Sequence, residues 1–326
     1  MTRVLIPPIT QPPIAADGPL IRLHGVSMGT TWSVRAYGTD AAVVEHAIKI
    51  CLTQVIADMS TWEADAFISG FNTAPAASWH DAPDDFLTVL TEALRIAALS
   101  DGAFDPACGA LVDLWGFGPG GVASSLPTPR ALARARAEGD WRRLALDGTR
   151  VLQPGGIRLD FSGIAKGFAV DKVAQALTRL GIGAYLVEIG GELKGQGMKP
   201  DGTPWFVGFE TPPAAGAPEE LVIALHAMAI ASSGDYHRVR VQGGRRIAHT
   251  IDPRTGLPLG DDAPAGVSVV HRSCMTADGF ATALGVLGLV DGMAFAAQHQ
   301  LAARFLMREG DAFIEHLSPA LAAMLD

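Results

Sequence analysis

Between Ala41 and Met59, and again between Asp84 and Leu99, apolar residues return every three or four positions, the spacing of a helix that buries one face. Two helices are therefore predicted, joined by an irregular Ala- and Pro-rich link from Asn72 to Pro83. Ahead of them, Pro19 to Tyr37 alternates apolar and polar residues around Met28-Gly-Thr-Thr31, the period of a hairpin. Behind them, Gly116 to Arg130 reads as a surface loop and Ala131 to Glu138 as a short helix. Beyond that point the pattern changes. Strands over Trp141 to Leu159, a helix from Gly163 to Leu180 closed by Gly181, and a buried strand at Tyr185 to Ile189 make a strand-helix-strand unit. Alternating runs at Trp205–Glu210, Leu221–Ala231, Tyr236–Val241 and Val267–His271 predict strands of a mainly antiparallel sheet, with a loop at Pro212–Glu219 among them. Thr276 to Leu289 and Met293 to Gln298 read as helices before a last strand at Ala303–Met307. No unit of fixed length repeats along the chain.

These elements add up to an α+β chain with a mainly antiparallel core sheet. A proline-rich leader, residues 1–20, precedes a single domain, 21–326, which the change of pattern divides into two lobes, about 21–140 and 141–326. With 326 residues and 48% apolar content the chain can bury one large core or two joined ones, and 18% charged residues is low for a disordered chain. A formal charge of −9 argues against a phosphate-backbone partner, which clustered Lys and Arg would have to hold, so no nucleic acid is expected. The arginines between Arg130 and Arg143 are diluted by Glu138 and Asp140 and read as a solvated helix face. Cys51, Cys108 and Cys274 form no C-x-x-C pair and, being odd in number, no complete disulfide framework. No transmembrane span is expected, because the longest strong apolar run, Phe280–Val290, ends at Asp291 after roughly half the required ~20 residues. Prolines break the apolar patch near the N-terminus before it can form a signal core. The expected compartment is the cytoplasm, or the periplasm if a leader is missing from the sequence.

Three short segments mix carboxylate, hydroxyl, lysine or histidine with glycine. In His249-Thr-Ile-Asp-Pro-Arg-Thr-Gly256, Asp-Pro and Thr-Gly turn chemistry sets one histidine and one carboxylate on a rigid loop, which makes His249 the candidate general base. In Leu159-Asp-Phe-Ser-Gly-Ile-Ala-Lys-Gly167 a strand ends at Asp160 and a helix opens, whose free N–H groups and Lys166 suit a phosphate or diphosphate; a capped helix with a solvated lysine is the other reading. In Met275-Thr-Ala-Asp-Gly-Phe-Ala-Thr282, Asp278 and Thr282 project from one helix face, where their oxygens can bind one hard cation, unless Asp278 simply caps and Thr282 packs. Gly102-Ala-Phe-Asp-Pro-Ala-Cys-Gly109 and Leu114-Trp-Gly-Phe-Gly-Pro119 place aromatics beside tight turns, as a ring-binding wall or ordinary core packing would. Gly25-Val-Ser-Met-Gly29 matches the serine-nucleophile pattern, but a strand follows where that elbow needs a helix.

Taken in order, Met28-Gly-Thr, Met59-Ser-Thr-Trp62, Gly102-Ala-Phe-Asp-Pro106, Leu159 to Gly167, Glu188-Ile-Gly-Gly191, His249 to Gly256 and Ala277 to Thr282 closely resemble the ApbE family, whose members are FAD:protein FMN transferases. The likeness runs from about Leu23 to Leu289. It implies a fold related to the tunnelling type, with FAD in a cleft between two lobes. It also implies a magnesium-dependent enzyme that cleaves the FAD diphosphate, moves FMN onto a Thr or Ser hydroxyl of an acceptor protein and releases AMP. By position, the implied flavin contacts fall on Met28, Trp62, Ala103, Phe104, Asp105, Asp160, Lys166 and Ile251. Metal contacts fall on the Gly163 carbonyl, Asp278 and Thr282, and the proton acceptor on His249. The chemistry agrees, since a diphosphate beside Asp160, Asp252 and Asp278 needs a cation such as Mg2+ to neutralise it.

With water as acceptor the same site would be an FAD pyrophosphatase, and without a metal it would be a non-catalytic flavin-binding protein. Two departures from the family pattern bear on this. Trp62 stands where many members have tyrosine, which keeps ring stacking and loses a hydroxyl, and Ala281 stands where some have a second metal carboxylate, which lowers the expected metal affinity. Many relatives are exported lipoproteins, whereas no cysteine precedes Cys51 here.

Overall fold

The computed structural model describes residues 2–9, 12, 16–121, 125–211, 218–234, 239–242 and 245–325. In chain order the elements are β1 (Arg3–Leu5), β2 (Leu20–Ser27), β3 (Thr30–Tyr37), α1 (Ala41–Met59), α2 (Phe67–Thr73), β4 (Ser78–Asp81), α3 (Asp84–Leu99), α4 (Gly109–Leu114) and α5 (Pro129–Glu138). Then come β5 (Ala145–Asp147), β6 (Arg150–Gln153), α6 (Ala165–Arg179), β7 (Tyr185–Ile189), β8 (Glu192–Gln196), β9 (Trp205–Gly208), β10 (Leu221–Leu225), β11 (Met228–Gly234) and β12 (Val239–Gln242). The remainder is β13 (Arg245–Ala248), β14 (Ile251–Asp252), β15 (Leu257–Pro258), β16 (Gly266–His271), α7 (Cys274–Gln298), β17 (Ala302–Glu309), β18 (Ala312–Leu317) and α8 (Pro319–Ala322). The chain folds as two units, one built from residues 1–53, 166–234 and 261–326, the other from 54–165 and 235–260.

The first unit is organised by an eight-stranded sheet in the order β18-β17-β16-β11-β8-β7-β3-β2. Every neighbouring pair in it is antiparallel, as the alternating pattern leads one to expect. Met28 and Gly29 both adopt a left-handed backbone, φ 53° and 70°, which a two-residue hairpin turn requires, and this sets Ser27 opposite Thr30. The turn at Gly190 and Gly191 sets Ile189 opposite Glu192 by the same means. α7 starts where Ser273 Oγ accepts the Thr276 N–H at 3.2 Å, lies against β11, β16 and β17, and is broken at Gly288 (φ 78°, ψ −175°). By length and apolar composition alone α7 could cross a membrane, with a mean hydropathy of 1.7 in its most apolar stretch, yet Ala277, Phe280, Ala281, Ala283 and Leu284 are packed inside this unit. A smaller sheet, β1-β10-β9, closes over a second core of Leu5, Trp205, Ile223, Leu225 and Leu321.

In the second unit α2 and α3 share an aromatic core in which the Phe86 ring lies 4.7 Å from Phe67 and 5.1 Å from Phe161. Asn72, in α2, pairs with the stretch leading to Asp160 as a strand would: its side chain donates to Leu159 O (2.9 Å) and accepts from Leu159 N (2.7 Å). Buried Gln153 donates to Phe71 O (2.9 Å) and Ile157 O (3.1 Å), fixing the same stretch from the other side.

Several expectations are corrected. The link from Asn72 to Pro83 is not irregular throughout, because Ser78–Asp81 pairs with β6, a partner about seventy residues away that local composition does not reveal. Strand β6 belongs to the sheet β4-β6-β5 while β7 lies in the large sheet, so the predicted strand-helix-strand succession does not form one sheet. The run Leu221–Ala231 is two strands, not one, divided at His226 and Ala227 (φ 55°), with β10 in the small sheet and β11 in the large one. β18 and the strand β1 within the leader were not predicted; Leu5 of β1 is fully buried. The loop expected at Pro212–Glu219 and the start of the strand expected at Tyr236–Val241 fall largely on 212–217 and 235–238, outside the described residues.

Candidate active site

His249 sits directly after β13, on a loop whose shape comes from its own residues. Asp252 O accepts the Gly256 N–H at 2.7 Å, and the Asp252 carboxylate takes Arg254 Nε (2.9 Å) and Nη2 (3.0 Å) as a bidentate pair. The rest of the unit then holds this loop by its backbone. Trp115 Nε1 donates to Gly256 O at 2.8 Å, Arg136 donates to Arg254 O, and Arg240 Nη1 donates to Trp115 O at 2.8 Å. The Phe117 ring meets the His249 imidazole edge-on, centroids 6.4 Å apart, and the Arg240 guanidinium lies 5.7 Å from the Phe117 centroid. Ile251 is buried in a small cluster with Leu111 and Ala135, so its side chain anchors the loop.

In the same unit, Trp62 and Asp160 line one cavity of about 370 Å³, together with Asn72, Gly109, Asp113 and Arg158. Trp62 is 62% exposed, a large ring held at the surface of a concave, partly polar site. Arg158 Nη1 and Asp113 Oδ2 form an ion pair across it at 2.6 Å. Asp160 N donates to Pro106 O at 2.8 Å, which brings the stretch around Asp160 against the turn that begins at Asp105. Each carboxylate accepts the N–H two residues on: Asp105 Oδ1 from Ala107 and Asp160 Oδ1 from Ser162, both at 2.7 Å. Burial outweighs those bonds. It lifts the Asp105 carboxyl to about 7 and raises Asp160 above the usual carboxylate range, while burial and both carboxylates push the Cys108 thiol well up. Ala103 and Phe104 are 1% and 4% exposed; their side chains pack in the core, and what they can offer a ligand is backbone.

The first unit gathers a different set. Gly167 N donates to Asp278 Oδ2 at 2.9 Å, joining α6 to α7, and a Cβ at Gly167 would come within 2.3 Å of Cys274 O, so only glycine permits this approach. One residue earlier, Lys166 forms an ion pair with Glu192 at the start of β8. Glu192 is 1% exposed and Asp278 3% exposed, and the Glu192 Oε2 atom is buried with no hydrogen-bond partner. Burial raises both carboxyls, Glu192 to about 8, against the opposing pull of Lys166. Desolvation alone would lower the Lys166 ammonium, but Glu192 and Asp278 outweigh it and hold its pKa up. Lys166 also lies along the Gly190 turn, whose N–H donates to Thr31 O at 3.0 Å, so the turn of Met28 and the lysine flank the same glycine pair. Thr282 is one helical turn beyond Asp278 on α7, and Gly163 lies in the turn that leads into α6.

The predicted residues thus fall into two groups. Met28, Lys166, Asp278 and Thr282 belong to the sheet unit, whereas Trp62, Ala103, Phe104, Asp105, Asp160, Gly163, His249 and Ile251 belong to the other. Glu192 was missed, although it follows Glu188-Ile-Gly-Gly191 directly; a buried acid right after a tight glycine turn was the available signal. Trp115 and Phe117 were open between a ring-binding wall and core packing, and the structure gives them a third task, holding the histidine loop. Arg240 carried no sequence signal.

Comparison with known proteins follows the same outline. The model of the ApbE family matches residues 28–305. An FAD:protein FMN transferase of Vibrio cholerae is 36% identical over 310 residues, covering 94% of this chain and 92% of its own. Another, of Haemophilus influenzae, is 36% identical over 320 residues, again covering 94% of this chain and 92% of its own. The apo crystal structure of Pseudomonas stutzeri flavinyl transferase ApbE superposes with a TM-score of 0.87 at 36% identity, covering 94% of this chain and 96% of that one. The flavin transferase ApbE structure from Vibrio cholerae gives 0.86 at 35% identity, with 94% and 99% covered.

Proposed function

The chain belongs to the ApbE family and is a flavin transferase, and from that premise we propose that it transfers the FMN half of FAD, with magnesium, to a Thr or Ser hydroxyl of a partner protein. The product is a phosphoester-linked flavin, and AMP leaves. Among observations of the structure itself, the buried cluster of Lys166, Glu192 and Asp278 carries this reading: two buried acids share one ammonium, and one carboxyl oxygen of Glu192 has no partner.

That cluster fits a hard cation. Asp278 and Thr282 offer oxygens from one helix face. Mg2+ takes one or two carboxylates and fills its octahedron with water and phosphate oxygens, so one carboxylate and one hydroxyl are donors of the right kind. Such an ion, when bound, neutralises the charge that builds on the diphosphate as it is cleaved.

The chain's own residues do the rest. Trp62 offers a face for the flavin ring, and Asp160 and Asp105 offer acceptors, or donors when protonated, to its polar edge. Lys166 contacts the nucleotide. His249 takes the proton of the acceptor hydroxyl as its oxygen attacks phosphorus; one P–O bond forms, the anhydride P–O bond breaks, and AMP carries away the negative charge. The test is AMP release from FAD and Mg2+ with and without a threonine-bearing flavoprotein domain, followed by intact-mass analysis of that domain. Coupled AMP and an FMN adduct support the transfer; AMP with free FMN and no adduct points to hydrolysis, and no AMP leaves a binding protein.

A further inference from the structure

Glu192 is the third charged group of the cluster, beside the lysine and the aspartate that the proposed chemistry uses. Its carboxylate is 1% exposed, one oxygen holds Lys166 Nζ, and the other is buried with no partner. Asp278, also buried, already receives the Gly167 N–H at Oδ2. A lone Lys166–Asp278 pair would be balanced, one charge against one, and a cation arriving at Asp278 would have to compete with the ammonium. With Glu192 present the lysine has a second acidic partner, and when both carboxyls are ionised, as an arriving cation favours, the cluster carries one negative charge for the cation to balance.

We infer that Glu192 is a positioning residue for the cation site: by holding Lys166 it leaves the Asp278 carboxylate open to a divalent cation. The inference rests on the reading of Asp278 as a cation ligand given above.

Charge logic makes the signs of three variants differ, which damage to packing does not. Mn2+ alone is the probe, titrated into the full chain without nucleotide and followed by loss of the free-ion EPR signal. Glu192→Gln cannot supply the negative charge that balances Lys166 when a cation binds and leaves the ammonium to pair with Asp278, so Mn2+ affinity should fall at least tenfold. Lys166→Met removes the competitor, so affinity should rise severalfold, and the double variant should return near the wild-type value. An impaired fold does not tighten metal binding, so the rise is the discriminating result. Weaker binding by Lys166→Met, or unchanged binding by Glu192→Gln while Asp278→Asn abolishes it, overturns the role of Glu192 and leaves the cation site standing. Absence of Mn2+ binding to the wild type overturns both.

Discussion

Each unit of this protein holds a pair of carboxyls that desolvation raises, and the two pairs are stabilised in opposite ways. Asp105 and Asp160 each accept an N–H from the residue two positions on, inside a turn of their own sequence. Glu192 and Asp278 are drawn to a lysine helix from far away: Glu192 pairs with Lys166 across 26 residues and Asp278 accepts from Gly167 across 111. Backbone N–H groups soften the desolvation of Asp105 without supplying a charge, and its carboxyl stays up at about 7; Glu192, opposed by Lys166, still stays up at about 8. A lysine does supply one, but a single lysine serves two acids. The first arrangement makes polar atoms that switch between accepting and donating with pH; the second is where the proposed cation would be held. The second unit's histidine loop is of the first kind, shaped by turn chemistry and then held by its carbonyls.

If local contacts fix the loop, removing one should displace His249, the proposed general base, without disturbing the nucleotide. Phe117→Ala takes away the ring that meets the His249 imidazole and the Arg240 guanidinium. We expect kcat for transfer to fall about 10- to 100-fold with KM for FAD little changed, because misplacing a reacting group by about an ångström costs on the order of 100-fold. Phe117→Tyr should restore most of it. Steady-state kinetics decide: a KM that rises as much as kcat falls would mean that the ring serves FAD binding, and that loop and pocket are not separately held.

How far the sequence alone reaches follows the same division. The helices at Ala41–Met59 and Asp84–Leu99 and the hairpin around Met28 are read correctly because their periods and turn residues are contiguous. The site segments around Asp105, Asp160 and His249 stand out for the same reason. What remained hidden depends on distant partners: β4 needs β6, β10 and β11 divide because they join different sheets, and Glu192 matters only once β8 lies beside α6. Arg240, one arginine among many, acquires its task only from the Trp115 and Gly116 carbonyls.

Asp105→Asn asks whether the backbone-held pair carries a real charge penalty. The folded Asp105 keeps its proton up to about pH 7, whereas an unfolded aspartate loses it near its ordinary value of 3.8. Between those values the folded state binds more protons, so the contribution of this residue to stability falls as pH rises through the window and stays low above it. Asparagine still accepts the Ala107 N–H and does not ionise. The variant should therefore gain on the wild type by up to a few kcal/mol between pH 4 and pH 8, since a tenfold difference in acidity between the folded and unfolded states is worth ~1.4 kcal/mol. Denaturant unfolding at the two pH values measures it; equal differences at both would mean that Asp105 ionises as freely as a surface carboxylate.

The smallest effect is expected at the rim of the cavity. Trp62 is 62% exposed and presents a ring to the space it shares with Asp160 and the Arg158–Asp113 pair. Its value to a planar ligand is stacking area, which tyrosine largely retains, whereas alanine removes it altogether; an aromatic contact of this kind is worth ~1 kcal/mol beyond simple area burial. Trp62→Tyr should shift the Kd for FAD by less than about threefold, and Trp62→Ala by about tenfold, as the ~1.4 kcal/mol per decade conversion implies. Quenching of flavin fluorescence reads both. Since the ring is held at the surface and not in the core, neither variant should move the unfolding temperature, in contrast with any change to buried Phe86 or Phe161. A Trp62→Ala variant that binds FAD as tightly as the wild type would remove the ring from the binding site and leave the polar wall around Asp160 to recognise the flavin alone.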